Sequence, residues 1–422
     1  MKVLCVTLFS LFFIQLCTSQ EVQLKTDDLE VRFAAVIFRH GDRTPIDPYP
    51  TDPWKNPDIW PVGFGELTNT GKQQHFALGK FLRKKYNLLS KKYNPKEIYI
   101  RSTDVDRTLM SAEANLAGLY PPVNGSVWNK DIPWQPIPVH TTPNIEDNVL
   151  AMGKQCSVYD HKLKTFMSSN EYQRKLANEK KYLTNKTGRS IKSFSDIEYI
   201  YNTLFIENLY NLTLPSWTHT VFPNRMSNFV IATATPVLAR LKVGPLLKEI
   251  TSKMQAVYRA ENKSSNNIHK STINQLKMMV YSAHDNTIAN MLNALNLFEP
   301  HFPSYTASLH FELVFDKSTK DFSVQILYRN VTALVEPTLL EIPNCGTTCP
   351  LDHFLSIYSE LIPENWEAEC KNKVYIFFNI VLFCLHSLAV IGLDAGKTYI
   401  GRRPSEGKIY SSSNQSLYWY RT

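Results

Sequence analysis

Six consecutive apolar residues, Phe33 to Phe38, run directly into Arg39-His40-Gly41-Asp42-Arg43-Thr44-Pro45. A strand with one wet face alternates apolar and polar residues. An unbroken run this short, closed by turn-prone residues, predicts a strand buried on both faces with its carboxyl end exposed. Such a strand needs helices above and below it, and the chain supplies them in alternation. Helical text with apolar Phe76, Leu78, Phe81 and Leu82 runs from about Thr70 to Tyr86, and Glu97 to Ser102 reads as a second strand. Thr103 to Asp106 has the form of a capping box and opens a helix through Leu116. Lys277 to Ala283 is a third buried strand, Asp285 to Leu295 the helix after it, and Leu309 to Phe315 and Phe322 to Tyr328 alternate like antiparallel edge strands. The order predicts an α/β fold with a doubly wound, mostly parallel sheet, whose ligands sit beyond the carboxyl ends of the strands. From about Trp128 to Lys270 the text turns polar, Lys- and Asn-rich and broken by prolines, which reads as an inserted helical cap (128–270).

Both ends of the chain carry targeting signals. Met1-Lys2, the apolar run Val3 to Leu16 and the small-residue exit Cys17-Thr18-Ser19 read as a secretory signal over 1–19, with the mature domain spanning 20–372. Val374 to Leu393 holds no formal charge over twenty positions, and at 1.5 Å per residue it spans a hydrocarbon core of about 30 Å. It reads as one transmembrane helix (374–393). Lys397, Arg402, Arg403 and Lys408 after it, against Lys371 and Lys373 before it, place the tail 394–422 in the cytosol. The predicted topology is single-pass type I, in the secretory pathway or at the cell surface.

The net charge of +8 comes from scattered Lys and Arg with no long basic block, which argues against a nucleic-acid partner. Six sequons, at Asn124, Asn185, Asn211, Asn262, Asn330 and Asn414, are candidate glycan sites in such a compartment. Four of the seven cysteines fall outside the two apolar segments: Cys156, Cys345, Cys349 and Cys370. In an oxidising compartment they suggest two disulfides, with three pairings open. Cys345 and Cys349 are close enough to close a small loop, leaving Cys156 for Cys370. Zinc is the lesser reading, since the spacing lacks a second matched pair and histidine partners.

Three chemically rich clusters end the three strand candidates: Arg39 to Pro45, Arg101 with Arg107, and His284-Asp285. Converging guanidiniums make an anion pocket, because planar forks bind phosphate oxygens bidentately and stay charged. A histidine among them has its pKa lowered by like charge, so His40 is the candidate nucleophile toward phosphorus. Asp285 is placed to protonate a leaving alkoxide and His284 to bond a phosphate oxygen.

Taken together, RHGDRTP (Arg39 to Pro45), YIRSTDVDRTLMSAEANLAGLYPP (Tyr99 to Pro122), WQPIPVH (Trp134 to His140) and YSAHDNT (Tyr281 to Thr287) resemble the histidine acid phosphatases, nearest the animal prostatic, lysosomal and insect venom types. The resemblance implies His40 as the transiently phosphorylated nucleophile, Asp285 as proton donor, and Arg39, Arg43, Arg107 and His284 as phosphate binders. It selects Arg107 over Arg101. It implies no metal or other cofactor, a phosphomonoester substrate and, in many members, a homodimer. Where related animal members carry a third disulfide this chain has Ile206 and Leu309, and its segment 218–242 departs from the family's charged helix. A phytase-like or lipid-phosphate phosphatase is the sister reading. The reading from another class is a catalytically weak membrane glycoprotein that binds a partner, motivated by the altered 218–242 segment.

Overall fold

The computed structural model describes residues 28–371 apart from 228, 230–234, 265–275 and 334. The signal segment 1–19, the apolar span 374–393, the tail 394–422 and Asn414 lie outside the described residues. Among the described residues, no helix is long and apolar enough to cross a membrane.

The chain runs β1 (Leu29–Arg39), α1 (Asn69–Lys85), β2 (Ile98–Ser102), α2 (Asp106–Leu119), α3 (Ser157–Met167), α4 (Asn170–Thr187), α5 (Phe194–Leu209), α6 (Asn224–Ser227), α7 (Pro236–Lys242) and α8 (Gly244–Ser264). It continues through β3 (Met278–Ala283), α9 (Asp285–Ala294), β4 (Ser308–Asp316), β5 (Phe322–Arg329), the short β6 (Thr338–Leu339) and β7 (Cys349–Pro350), and α10 (Leu351–Ile357). The strand order is β2-β3-β1-β4-β5-β6, with β7 also on β5.

β1 carries the logic of the fold. Its side chains alternate faces, so Phe33, Ala35 and Ile37 enter one core with α8 and α9, while Ala34, Val36 and Phe38 enter the opposite core with α1 and α2. Both faces are buried, which is why the sequence shows a run there and no alternation. α8 meets the first core through Leu246, Leu247, Ile250, Met254 and Val257, a helical spacing. α8 thus packs on the sheet, although its residues fall inside the stretch assigned to the cap.

Two expectations about the sheet are corrected. The β2–β3 and β3–β1 ladders are parallel, but β1–β4, β4–β5, β5–β6 and β5–β7 are antiparallel, so the sheet is mixed instead of mostly parallel. β4 is no edge strand. It pairs with β1 over Leu29 to Phe38, and its residues Ser308 to Val314 are buried, the polar ones among them (Ser308, His310, Glu312) bonded inside the fold. The capping box at Thr103 also does not form. The helix starts later, at Asp106, with Val105 as a cap lacking a side-chain bond, because the Thr103 hydroxyl is engaged elsewhere.

A separate apolar cluster joins α4 and α5 to Tyr49 from the loop after β1, with Leu176, Leu183, Ile197, Ile200 and Leu204 at its centre. The altered segment contributes Val221, Met226 and Phe229 to the same cluster. Disulfides join Cys156 to Cys370 and Cys345 to Cys349. The first closes a 214-residue separation, and the chain-entropy account assigns such a long loop several kcal/mol of stabilisation. These bonds remove the zinc reading of the cysteines. Ile206 and Leu309 are each fully buried.

Candidate active site

The parallel register sets Phe38 and Ser102 both level with Ser282, so β1, β2 and β3 end at one edge of the sheet. The connection after β1 leads to α1 on one face, and that after β3 leads to α9 on the other. Adjacent strands whose connections part in this way open a crevice at their carboxyl ends. His40 follows β1, His284 and Asp285 follow β3, and Arg107 sits in the first turn of α2.

The turn at His40 is held by close backbone packing. A Cβ on Gly41 would lie 2.4 Å from the Gly71 carbonyl oxygen, and one on Gly71 would lie 2.3 Å from that of Asp42. The amino end of α1 therefore presses directly on the loop that follows β1. Thr68 caps that helix by accepting from the Gly71 amide at 3.1 Å and donates its proton to Asp42 Oδ2 at 2.5 Å. Tyr210, just past α5, donates to the same oxygen at 2.7 Å, joining the helical insertion to the loop.

His40 is 2% exposed, and its Nδ1 lies 2.8 Å from the Gly41 carbonyl oxygen. A carbonyl only accepts, so Nδ1 carries the proton and Nε2 keeps the lone pair. Burial, followed by Arg107, Arg39, Arg43 and His284, holds the His40 pKa well below the ordinary histidine value. A neutral imidazole with Nε2 unprotonated is a nucleophile already in its reactive form.

The cations around it are fixed in different ways. Arg39 Nη2 pairs with Asp285 Oδ2 at 2.9 Å, Nη1 donates to the Pro303 carbonyl at 2.5 Å, and the guanidinium stacks over Phe302 at 4.5 Å and Tyr305 at 4.4 Å. Arg43 donates to the Thr44 carbonyl at 2.9 Å. Burial lowers the Arg107 pKa to about 10, so it stays charged. Three guanidiniums against the one carboxylate of Asp285 leave the hollow short of negative charge.

His284 caps α9, and its ring stands edge-on to that of His40 with centroids 5.7 Å apart. Burial first, then Arg107, lowers its pKa to about 3. Burial pushes the Asp285 carboxyl up, but Arg39, Arg43 and His284 outweigh it and leave the pKa below the usual aspartate value. In the unliganded site Asp285 is thus an ionised partner of Arg39.

All six residues expected at the site lie together in this crevice. Arg101 does not join them: it pairs with Asp147 at 2.7 Å and Glu249 at 3.6 Å. The Trp134 to His140 motif lies beside β2, where the Ser102 amide donates to the His140 carbonyl at 2.8 Å, and serves the sheet. Of the candidate glycan sites, Asn124, Asn185, Asn211 and Asn262 are exposed, and Asn330 is half-buried with Oδ1 accepting from the Ser304 amide at 2.8 Å.

Sequence reading missed the part played here by four residues. Phe302 and Tyr305 flank Arg39 from a loop with no motif of its own. Glu198 on α5 has its pKa raised to about 8 by burial and by Asp285, so it is largely uncharged beside the cations. Thr103 touches His284, whereas the sequence marked it only as the start of a capping box. The signal for the others is three-dimensional, because it arises where α5 and the loop before β4 cross the crevice.

Residues 30–329 match the family model described as the histidine phosphatase superfamily (branch 2). The chain is 39% identical over 360 residues to the lysosomal acid phosphatase of Xenopus laevis, covering 82% of this chain and 80% of that protein. It is 36% identical over 355 residues to the prostatic acid phosphatase of Homo sapiens, covering 81% and 88% respectively. Among solved structures, the phytase from Citrobacter braakii shares the fold with a TM-score of 0.59 at 17% identity, covering 81% of this chain and 99% of that one.

Proposed function

The chain belongs to the histidine phosphatase superfamily, branch 2, and from that premise we propose that it is an acid phosphatase working through a phosphohistidine at His40. The observation that carries this reading is the state of His40: Nδ1–H tied to the Gly41 carbonyl and Nε2 unprotonated among Arg39, Arg43 and Arg107. Nε2 attacks phosphorus while the guanidiniums take the phosphoryl oxygens and stabilise the charge spread over them in transfer. As the ring gains positive charge its Nδ1–H bond to Gly41 strengthens, so the scaffold favours the phosphorylated state at no cost in rearrangement. Asp285 delivers a proton to the leaving oxygen in the first half-reaction and, ionised again, orients the water that cleaves the N–P bond in the second.

The targeting signals extend the proposal to its compartment. Entry to the secretory pathway by the 1–19 signal, glycans on the exposed sequons and a single-pass anchor at 374–393 make it a type I membrane enzyme with its catalytic domain lumenal or extracellular. The homodimer rests on the family resemblance alone. The test is His40→Ala assayed with p-nitrophenyl phosphate. Loss of hydrolysis with unchanged circular dichroism is the expected outcome, and turnover near that of the parent removes the mechanism.

A further inference from the structure

A chain of hydroxyls behind His284 has a polarity that can be worked out from its far end. Thr108 Oγ1 lies 2.7 Å from the Val105 carbonyl oxygen and 3.0 Å from that of Thr103. Neither oxygen can donate, so the single Thr108 hydroxyl proton goes to a carbonyl; otherwise lone pairs would face each other at both contacts. Thr108 Oγ1 must then accept across its 2.8 Å contact with Thr103 Oγ1. That commits the only Thr103 proton, so Thr103 Oγ1 in turn accepts across its 3.0 Å contact with His284 Nε2. His284 therefore carries its proton on Nε2. Its other ring nitrogen, Nδ1, has no protein partner among the described residues.

We propose that Thr103 and Thr108 are positioning residues that hold His284 as an acceptor toward the pocket, so that the site selects the monoanion of a phosphate ester, whose own P–O–H donates to His284 Nδ1. The proposal rests on the phosphatase reading of the same site and adds the ionic form of its substrate. The groups facing the ring are Arg107 from α2, Arg39, His40 and Arg43 from the end of β1, Asp285 from α9, and the Thr103 hydroxyl from the loop after β2. Burial, and then the arginines, keep the ring neutral, which preserves Nδ1 as an acceptor. A dianion would set a phosphate lone pair against that of Nδ1. The monoanion instead brings the proton that the unliganded site lacks, since Asp285 there is ionised.

The step balances. His40 Nε2 forms the N–P bond as the ester P–O bond breaks, and the proton that entered on the phosphate leaves its hydrogen bond to His284, passes to the ionised Asp285 carboxylate and from there to the departing alcohol oxygen. A neutral imidazole and an ester of charge −1 thus give a neutral alcohol and a phosphohistidine of net charge −1, its ring still protonated at Nδ1 toward Gly41.

Phosphate monoesters lose their second proton near pH 6, and above that pH the monoanion falls tenfold per unit. The test compares kcat/KM against pH for an alkyl and an aryl phosphate whose second ionisations occur at different pH. In the parent enzyme the alkaline limb is expected to follow each ester's own ionisation. Thr103→Val frees His284 to carry its proton on Nδ1 and accept the dianion, so the fall from pH 5 to pH 8 should shrink by about tenfold, the worth of one hydrogen bond. Thr108→Val leaves Thr103 able to donate to His284 Nε2 and should shift the profile the same way, which keeps the test alive if Thr103→Val fails to fold. Thr103→Ser should restore the parent profile. Limbs that coincide for the two esters, or a profile that neither valine variant moves, overturn the proposal. Hydrolysis of neither ester by the parent would instead overturn the phosphatase reading.

Discussion

As the proposed proton donor, Asp285 faces two requirements that pull apart. Paired with Arg39 at 2.9 Å it is held ionised, yet a leaving alkoxide needs a proton. Substrate binding resolves this, because phosphoryl oxygens take over the Arg39 fork, and two anions sharing one cation raise the pKa of the carboxyl. The burden then scales with the leaving group. Asp285→Asn keeps the shape but cannot transfer a proton, so alkyl phosphates are expected to slow by about 10²–10⁴-fold while p-nitrophenyl phosphate, whose phenolate leaves unaided, slows much less. A leaving-group series that shows equal slowing throughout would refute this role. At the same scale, the acid limb of kcat/KM should lie well below pH 6.5, because burial and then the surrounding cations oppose protonation of His40 as pH falls.

Among the elements, the crossing of α1 and α2 positions Arg107 relative to His40. The helices approach closely enough that a Cβ on Gly79 would lie 1.9 Å from the Asn115 carbonyl oxygen, and one on Gly118 would lie 2.1 Å from that of Phe76. Backbone on both sides leaves nothing flexible to yield. Gly79→Ala is expected to destabilise the protein by about 1–3 kcal/mol, the usual range for overpacking, and urea unfolding measures it. A midpoint equal to that of the parent would mean the helices separate without cost. α5 acts differently, since it brings Glu198 to the crevice and ends at Tyr210, whose hydroxyl reaches Asp42. The helical insertion is thereby tied to the loop after β1 by a bond to the residue two positions after His40.

For the molecule as a whole, the sequence exposed the parallel centre of the fold more clearly than its flanks. Phe33 to Phe38 could be read because a strand buried on both faces leaves a run with no helical alternative of that length. β4 was misplaced at an edge because the polar residues His310 and Glu312, within the stretch Leu309 to Phe315, read as a wet face. In the fold they are bonded inside: Tyr86 donates to Glu312 at 2.6 Å, and His310 Nε2 meets Ser308 Oγ at 2.9 Å. Five of the six residues of the crevice were legible because they end or closely follow β1 and β3, while the family resemblance was needed to select Arg107 over Arg101. Phe302, Tyr305 and Glu198 were not, because the crossing of distant segments brings them there.

The most direct measurement traps the enzyme during turnover of a phosphate ester. Quenching with alkali, which preserves a phosphoramidate, followed by peptide mass spectrometry should place one phosphoryl group on His40, at Nε2, and leave none in His40→Ala. Phosphate recovered on any other residue, or steady turnover with His40 never phosphorylated, would contradict the account.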